Sequence, residues 1–279
     1  MDKRPGGIKG KAAFELPDEA QKKYLNHGKE ITVALGDTAF NGVLKPSAVM
    51  DYCQDVAAEH AAGLGFGYGD LIEKNLAWVL VRMSLIIDKS PKTGETLMIR
   101  TFPETPKVMD VNRRYYITDK TGETVVFASS KWCVMDITSQ KIKRLASVFE
   151  KFPDSDFLPG DPCDDTNPKI QTQADSGFES GRNAGLSAGS VSAFTVQTTD
   201  LDRNLHMNNA RYGDIILNAC DIDMFKENSI SRIDLNFVSQ LFLGEKYEVY
   251  KSHKGNVTFI EAGKQDSSII FRSMVTWQR

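Results

Sequence analysis

Cysteine is scarce in this sequence. Four residues among 279, Cys53, Cys133, Cys163 and Cys220, stand far apart with no CxxC pair. That spacing excludes a zinc ribbon and a disulfide framework, and it suits a reducing compartment. Long apolar runs are missing too: no stretch approaches the roughly 20 residues of a membrane-spanning helix. The opening MDKRPGGIKGKAAFELPDEAQKKY contains no apolar core of a secretory signal. A protein of the cytoplasm is expected. Positive charge is not in surplus either, since 34 Lys and Arg face 37 Asp and Glu for a net charge of -3. Without a global basic field, nucleic acid is not an expected partner.

What is present is an ordinary globular composition, 41% hydrophobic and 25% charged, at a length that allows one large domain or two of about 130 residues. The chain is written twice. From Lys29 to about Leu145 an extended EITVAL, a turn-rich GDTAFNG and a helical stretch lead into strand-like runs parted by KTGET and DKTGET turns. The same order recurs from about Ser192, beginning with SAFTVQTTDLDRNL and ending in RSMVTWQR. Setting VLVRMSLIIDKSPKTGETLMI against SISRIDLNFVSQLFLGEKYEV places Arg82 over Arg232, Gly94 over Gly244 and Glu95 over Glu245 without a gap. A repeat of this length implies two related domains rather than a solenoid. The expected division is an N-terminal arm (1–28), a first domain (29–151), a linker rich in Asp, Gly, Pro and Ser (152–187) and a second domain (188–279).

The first helix, PSAVMDYCQDVAAEHAAGLG, opens with Pro46 and Ser47 and stops at Gly63 and Gly65. Val49, Cys53, Val56 and His60 form one stripe, widened by Met50, Ala57 and Ala61. Such an apolar helix must be covered, and the antiparallel hairpins that follow, with alternation in LMIRTF and YYITD, supply the cover. The fold class is α+β. Glu59 and His60 point about 100° apart on a helix, so His60 reads as an interior histidine.

The chemistry gathers in TTDLDRNLHMNNARYGDI. Asp202, Asn204 and His206 fall on alternate residues before Asn208 and Asn209. In an extended segment all three side chains share a face; in a turn they still cluster at the foot of the helix expected to run through ARYGDIILNACDIDMF. His206 exchanges protons near neutral pH, Asn204 orients a carbonyl or a water, Asp202 fixes either neighbour, and N–H groups at the helix start stabilise negative charge. These parts suit hydrolysis of an activated acyl group; the same residues also make ordinary helix caps. Cys220, beside Ile216 and Ala219, reads as core.

DLDRNLHMNNARY resembles the DxNxHxNNxxY signature of the acyl-acyl-carrier-protein thioesterases, within the hotdog-fold thioesterases. The resemblance runs over nearly the whole chain, through FNGVLKPSAVMDYCQDVAAEHAAGLG and SRIDLNFVSQLFLGEKY. It implies two tandem hotdog domains, each a long helix wrapped by an antiparallel sheet, hydrolysing fatty acyl-acyl-carrier-protein to a free fatty acid with no metal and no organic cofactor. Asn204 and His206 would belong to the active site, with Asp202 supporting Asn204. The first repeat has Asp37 and Asn41 in the comparable turn but no His, which implies one site per chain. Where the family often carries Glu, this sequence has Gln240, which is not a base near pH 7. Either His206 or Asp202 would then accept the proton of a water held by Gln240 and Asn204, with the carbonyl polarised by N–H groups near Asn208 and Asn209. Trp78 and the first helix would line the acyl tunnel. Acyl carrier protein is acidic, so Arg113 with Arg114, and Lys141, Lys143 and Arg144, are candidate docking cations. An acyl-CoA thioesterase or a non-catalytic acyl-thioester-binding module would use the same fold, as a monomer or homodimer.

Overall fold

The computed structural model describes residues 27–148, 157, 165–171 and 190–279. Residues 1–26, Cys163 and most of the expected linker lie outside the described residues. The first half comprises β1 (His27–Thr32), α1 (Pro46–Gly63), α2 (Tyr68–Ile72), β2 (Leu76–Ile87), β3 (Thr96–Pro103), β4 (Val111–Thr118), β5 (Thr124–Asp136) and the short β6 (Lys141–Ile142). The second comprises β7 (Ser190–Thr195), α3 (Arg211–Ala219), β8 (Ser229–Phe237), β9 (Lys246–Lys254), β10 (Val257–Gly263) and β11 (Ile269–Gln278). All strands join one sheet in the order β1-β3-β4-β5-β2-β8-β11-β10-β9-β7, with β6 beside β5. Every pairing is antiparallel. No helix among the described residues is long and apolar enough to cross a membrane.

Pro46 opens α1, where its missing N–H costs nothing. The stripe Val49, Cys53, Val56 and His60 is buried, and its apolar members share one core with Leu97, Ile99, Tyr115 and Ile117 of β3 and β4. Alternation on β4 therefore sends its odd-numbered residues toward α1.

The register explains how the halves join. Arg82 and Arg232, Gly94 and Gly244 are each 150 residues apart, and so are Ser84 and Asp234, which face each other where β2 pairs β8. A strand paired antiparallel with its own copy about one matching position is a local two-fold, the symmetry of an isologous dimer. Turn hydrogen bonds repeat across it. Glu95 Oε2 accepts from Lys92 N at 3.1 Å and Glu245 Oε2 from Phe242 N at 3.0 Å. Gly94 and Gly244 supply the positive φ of 83° and 79° at the matching turns.

The second helix differs from expectation. It stops at Ala219 after 9 residues, half of the 18 in α1. Cys220 and Asp221 turn extended with ψ of 139° and 131°, and a short 3-10 turn, Ile222–Lys226, follows. Asp221 is held by Lys251 of β9, and Ile222 is exposed, so the apolar pattern runs on where the helix does not.

Two contacts place the helices for function. Gly213 of α3 crosses the start of α1 so closely that a Cβ there would lie 2.6 Å from Ser47 N. Ser47 Oγ donates to Asp214 Oδ1 at 2.5 Å, and Arg211 bridges Asp214 and Asp51 at 3.0 and 3.2 Å. On the opposite face of the sheet, residues 165–171 cover the β2–β8 seam. Asn167 N donates to Ser84 Oγ at 2.7 Å and Asn236 Oδ1 accepts from Ile170 N at 2.9 Å; Ser84 Oγ donates to Asp234 Oδ1 at 2.6 Å. Asn167 and Ile170 in this part of the expected linker are buried because the seam presents polar side chains that its backbone satisfies.

Candidate active site

The stretch from Leu201 to Met207 is a turn rather than a strand. Leu201 and Met207 form an isolated bridge, Asp202 N donates to His206 O at 2.7 Å, and Leu205 takes a left-handed φ of 61°. Inside this loop Asp202 Oδ1 accepts from Asn204 N at 2.8 Å and His206 N at 3.1 Å. The carboxylate therefore staples the backbone that displays Asn204 and His206. His206 bridges to Phe242, and Met207 N donates to Leu241 O at 2.8 Å, which ties the loop to the segment holding Gln240. The His206 ring meets Phe242 edge-on at 4.8 Å, an arrangement that restrains its orientation.

Asp202, Asn204, His206 and Gln240 all line one cavity of about 550 Å³, as do Asn209 and Trp78. Ala57, Ala58 and Ala61 of α1 leave the space that larger residues would fill. Trp78 donates from Nε1 to Phe66 O at 2.9 Å and meets Trp132 edge-on at 6.4 Å. Arg203 stacks over Tyr68 at 4.9 Å, a clasp between loop and α2 that the sequence did not signal.

Asn208 behaves differently from its neighbour. Its side chain accepts from Ala210 N at 2.9 Å and Gln54 Nε2 at 3.4 Å, and its own N–H donates to Asp200 O at 2.8 Å. Its Oδ1 and its N–H are thus engaged in the turn before α3, and the cavity lining includes Asn209 rather than Asn208. Tyr212 also lines the cavity, with burial raising its phenol. Cys220 donates to Ile216 O at 3.3 Å, and burial pushes its thiol up to about 12, far from the range of a nucleophile.

The first repeat has the same loop without the same chemistry. Bridges Thr38–Leu44 and Val43–Lys92 match Leu201–Met207 and His206–Phe242. Lys45 N donates to Asp37 O as Asn208 N does to Asp200 O, at 2.9 and 2.8 Å. Val43 thus stands where His206 does, Ala39 where Asp202 does, Asn41 where Asn204 does and Ser90 where Gln240 does. Asp37 matches Asp200 rather than Asp202.

The docking cations separate into two groups. Arg113 lines the cavity, donating to His60 Nδ1 at 3.0 Å and Thr101 Oγ1 at 3.2 Å, and burial lowers its guanidinium below the ordinary value. Arg114 is paired at 2.5 Å with the buried Glu104. Neither presents a free surface charge, so this pair does not form the expected docking patch. Strand alternation held the signal, since Arg113 shares the inward face of Tyr115. Lys141 and Arg144 are exposed, while Lys143 pairs with Asp136 at 3.1 Å.

A continuous antiparallel sheet holding helices beside one cavity is a hotdog-type architecture. Two solved structures share it: an acyl-ACP thioesterase from Bacteroides thetaiotaomicron, 23% identical with a TM-score of 0.78 over 90% of this chain and 97% of that one, and the 12:0-ACP thioesterase from Umbellularia californica, 18% identical with a TM-score of 0.76 over 90% and 96%. Residues 24–151 match the acyl-ACP thioesterase N-terminal domain and residues 184–278 its C-terminal domain, so the chain belongs to the acyl-ACP thioesterase family. Among its relatives is the chloroplastic palmitoyl-acyl carrier protein thioesterase of Arabidopsis thaliana, 26% identical over 196 residues, or 68% of this chain and 46% of that protein. The dodecanoyl-[acyl-carrier-protein] hydrolase of Cinnamomum camphora is 23% identical over 197 residues, 68% of this chain and 50% of that one. The chain thus spans about half the length of these curated relatives.

Proposed function

We propose that this protein hydrolyses fatty acyl thioesters of acyl carrier protein, releasing the fatty acid and the free carrier thiol. The observation that carries the reading is the meeting of Asn204, His206 and Gln240, from two chain segments, on one largely apolar cavity. Asn204 and Gln240 hold a water, and His206 takes its proton as the water attacks the thioester carbonyl. The tetrahedral intermediate collapses by breaking the carbon–sulfur bond, and His206 returns the proton to the departing sulfur. Asn209 is placed to help polarise the carbonyl; Asp202, with its Oδ1 committed to two backbone N–H groups, acts as the positioning residue. No metal or organic cofactor enters this scheme.

In the same reading the chain is a tandem pair of hotdog domains, 29–151 supplying scaffold and pocket and 188–279 the catalytic loop, following an arm at 1–28 and a linker at 152–187. The internal two-fold supports a monomer, and free Cys53, Cys133 and Cys220 support a cytoplasmic setting. Carrier docking falls to Lys141, Lys143 and Arg144, supported by the exposure of Lys141 and Arg144 and by Gln140, which lines the cavity beside them. A Lys141→Ala/Arg144→Ala variant should lose activity on carrier-protein thioesters and keep it on CoA thioesters; equal losses would refute that docking site.

The test of the activity is thiol release from a matched long-chain acyl carrier protein and acyl-CoA. The wild type should favour the carrier substrate, and His206→Ala should lower kcat by about 10²–10⁴-fold without changing Tm. Tight binding without release by the wild type would overturn the reading.

A further inference from the structure

Resting on the thioesterase reading for the reacting end of the chain, we propose that the cavity selects acyl chains carrying an oxygen function remote from the thioester, recognised by Arg113. The cavity wall is otherwise dominated by hydrocarbon near this residue, with Ala57, Ala61, Pro103 and Val111 among its lining. A saturated chain offers a guanidinium nothing.

Arg113 has no carboxylate partner among the described residues. Its contacts are Nδ1 of His60 at 3.0 Å and Oγ1 of Thr101 at 3.2 Å, both through one terminal nitrogen. His60 offers Arg113 a ring-nitrogen lone pair rather than a carboxylate. The neighbouring Arg114 shows the contrast, with Glu104 at 2.5 Å. A guanidinium has five N–H donors in a planar fork, and those on Nε and the second terminal nitrogen of Arg113 carry no protein partner among the described residues. Arg113 is only partly exposed, and a cation partly withdrawn from water without a counter-charge carries a cost. An incoming oxygen relieves that cost, as a hydroxyl accepting from Arg113 or as a carboxylate accepting two parallel bonds from the fork.

The position of Arg113 sets where that oxygen lies. Gln54, which reaches Asn208 beside the catalytic loop, and His60, which holds Arg113, are six residues apart on α1, a rise of about 9 Å. Across the sheet, β4 is three strands from β8, roughly 14 Å. The oxygen that Arg113 reads is therefore well down the chain and not on the carbons next to the thioester.

The experiment measures binding and turnover separately. Dodecanamide, ω-hydroxydodecanamide and the ω-carboxy amide, which resemble the acyl group without being cleaved, are titrated while following the fluorescence of cavity tryptophans Trp78 and Trp132. The corresponding CoA thioesters are assayed for thiol release. The wild type should bind at least one oxygenated amide about tenfold more tightly than dodecanamide, as one hydrogen bond to a charged group warrants. Arg113→Met should collapse that ratio toward one, and Arg113→Lys should restore part of it. A stronger effect of the carboxyl amide identifies charge recognition, whereas a stronger effect of the hydroxyl identifies neutral recognition by Arg113. Wild-type binding that is equal for all three, or tightest for dodecanamide, overturns the proposal whatever the variants do. Selective binding without thiol release would instead refute the thioesterase reading and leave this one standing.

Discussion

Replacing Gly213 with alanine adds one methyl group at the crossing of α3 and α1. The new Cβ would lie 2.6 Å from Ser47 N and 2.8 Å from its Cα, and neither is a flexible side-chain end that can swing away. The helices must part. Overpacking of this kind costs about 1–3 kcal/mol, and losing the Ser47–Asp214 bond at the same crossing costs roughly 1.5–3 kcal/mol. The better helix propensity of alanine returns about 1 kcal/mol. The net loss is about 3 kcal/mol, a Tm lower by roughly 6–12 °C for a chain near this size. Thermal unfolding by circular dichroism measures it, with Gly69→Ala as the control because its Cβ would meet nothing within 4 Å. Thiol release should fall as well, since Asn209 and Tyr212 stand at the displaced end of α3. A Gly213→Ala protein melting within about 1 °C of wild type would refute the claim that the crossing is closed to a side chain.

Gln240→Ala should lower kcat roughly tenfold, the value of one hydrogen bond to the attacking water; an unchanged rate would remove Gln240 from the mechanism. Cys220→Ala should retain thiol-release activity, and Cys220 in the native protein should resist alkylation at pH 8 until the chain unfolds, because its thiol sits near 12. Asp136 is held down to about 2 by Ser139 N–H, Lys143 and the Ser139 hydroxyl. A carboxyl lowered on folding stabilises above its unfolded pKa of about 3.9 and loses that contribution as pH falls through the folded value. Between pH 4 and 2 the Tm of wild type should therefore fall more steeply than that of Asp136→Asn. Parallel Tm curves would refute that linkage.

The order of elements and the α1 stripe were legible because burial imposes a period that survives in the residues themselves. The loop from Asp202 to Asn209 was legible as a cluster but not as a turn, because its shape depends on Asp202 Oδ1 capturing two N–H groups and on Leu205 adopting a left-handed φ. Arg113 was misplaced to the surface because charge alone says nothing about which face of a strand is covered. Its contact with His60 is long-range and leaves no local pattern. The early end of α3 depends on Lys251 drawing Asp221 to β9, and the burial of Asn167 and Ile170 depends on polar groups at the β2–β8 seam.

In a symmetric dimer of identical subunits, every substitution appears twice, at both copies of a site at once. Pairing Ser84 with Asp234 inside one polypeptide removes that constraint, because each position of the repeat is encoded separately. Val43 and His206 record the result: one copy of the loop is free to carry an aliphatic side chain while the other carries an imidazole. A change that enlarges the cavity through Ala57 or Trp78 therefore need not touch the loop around His206, because the two lie in separately encoded halves of the same chain.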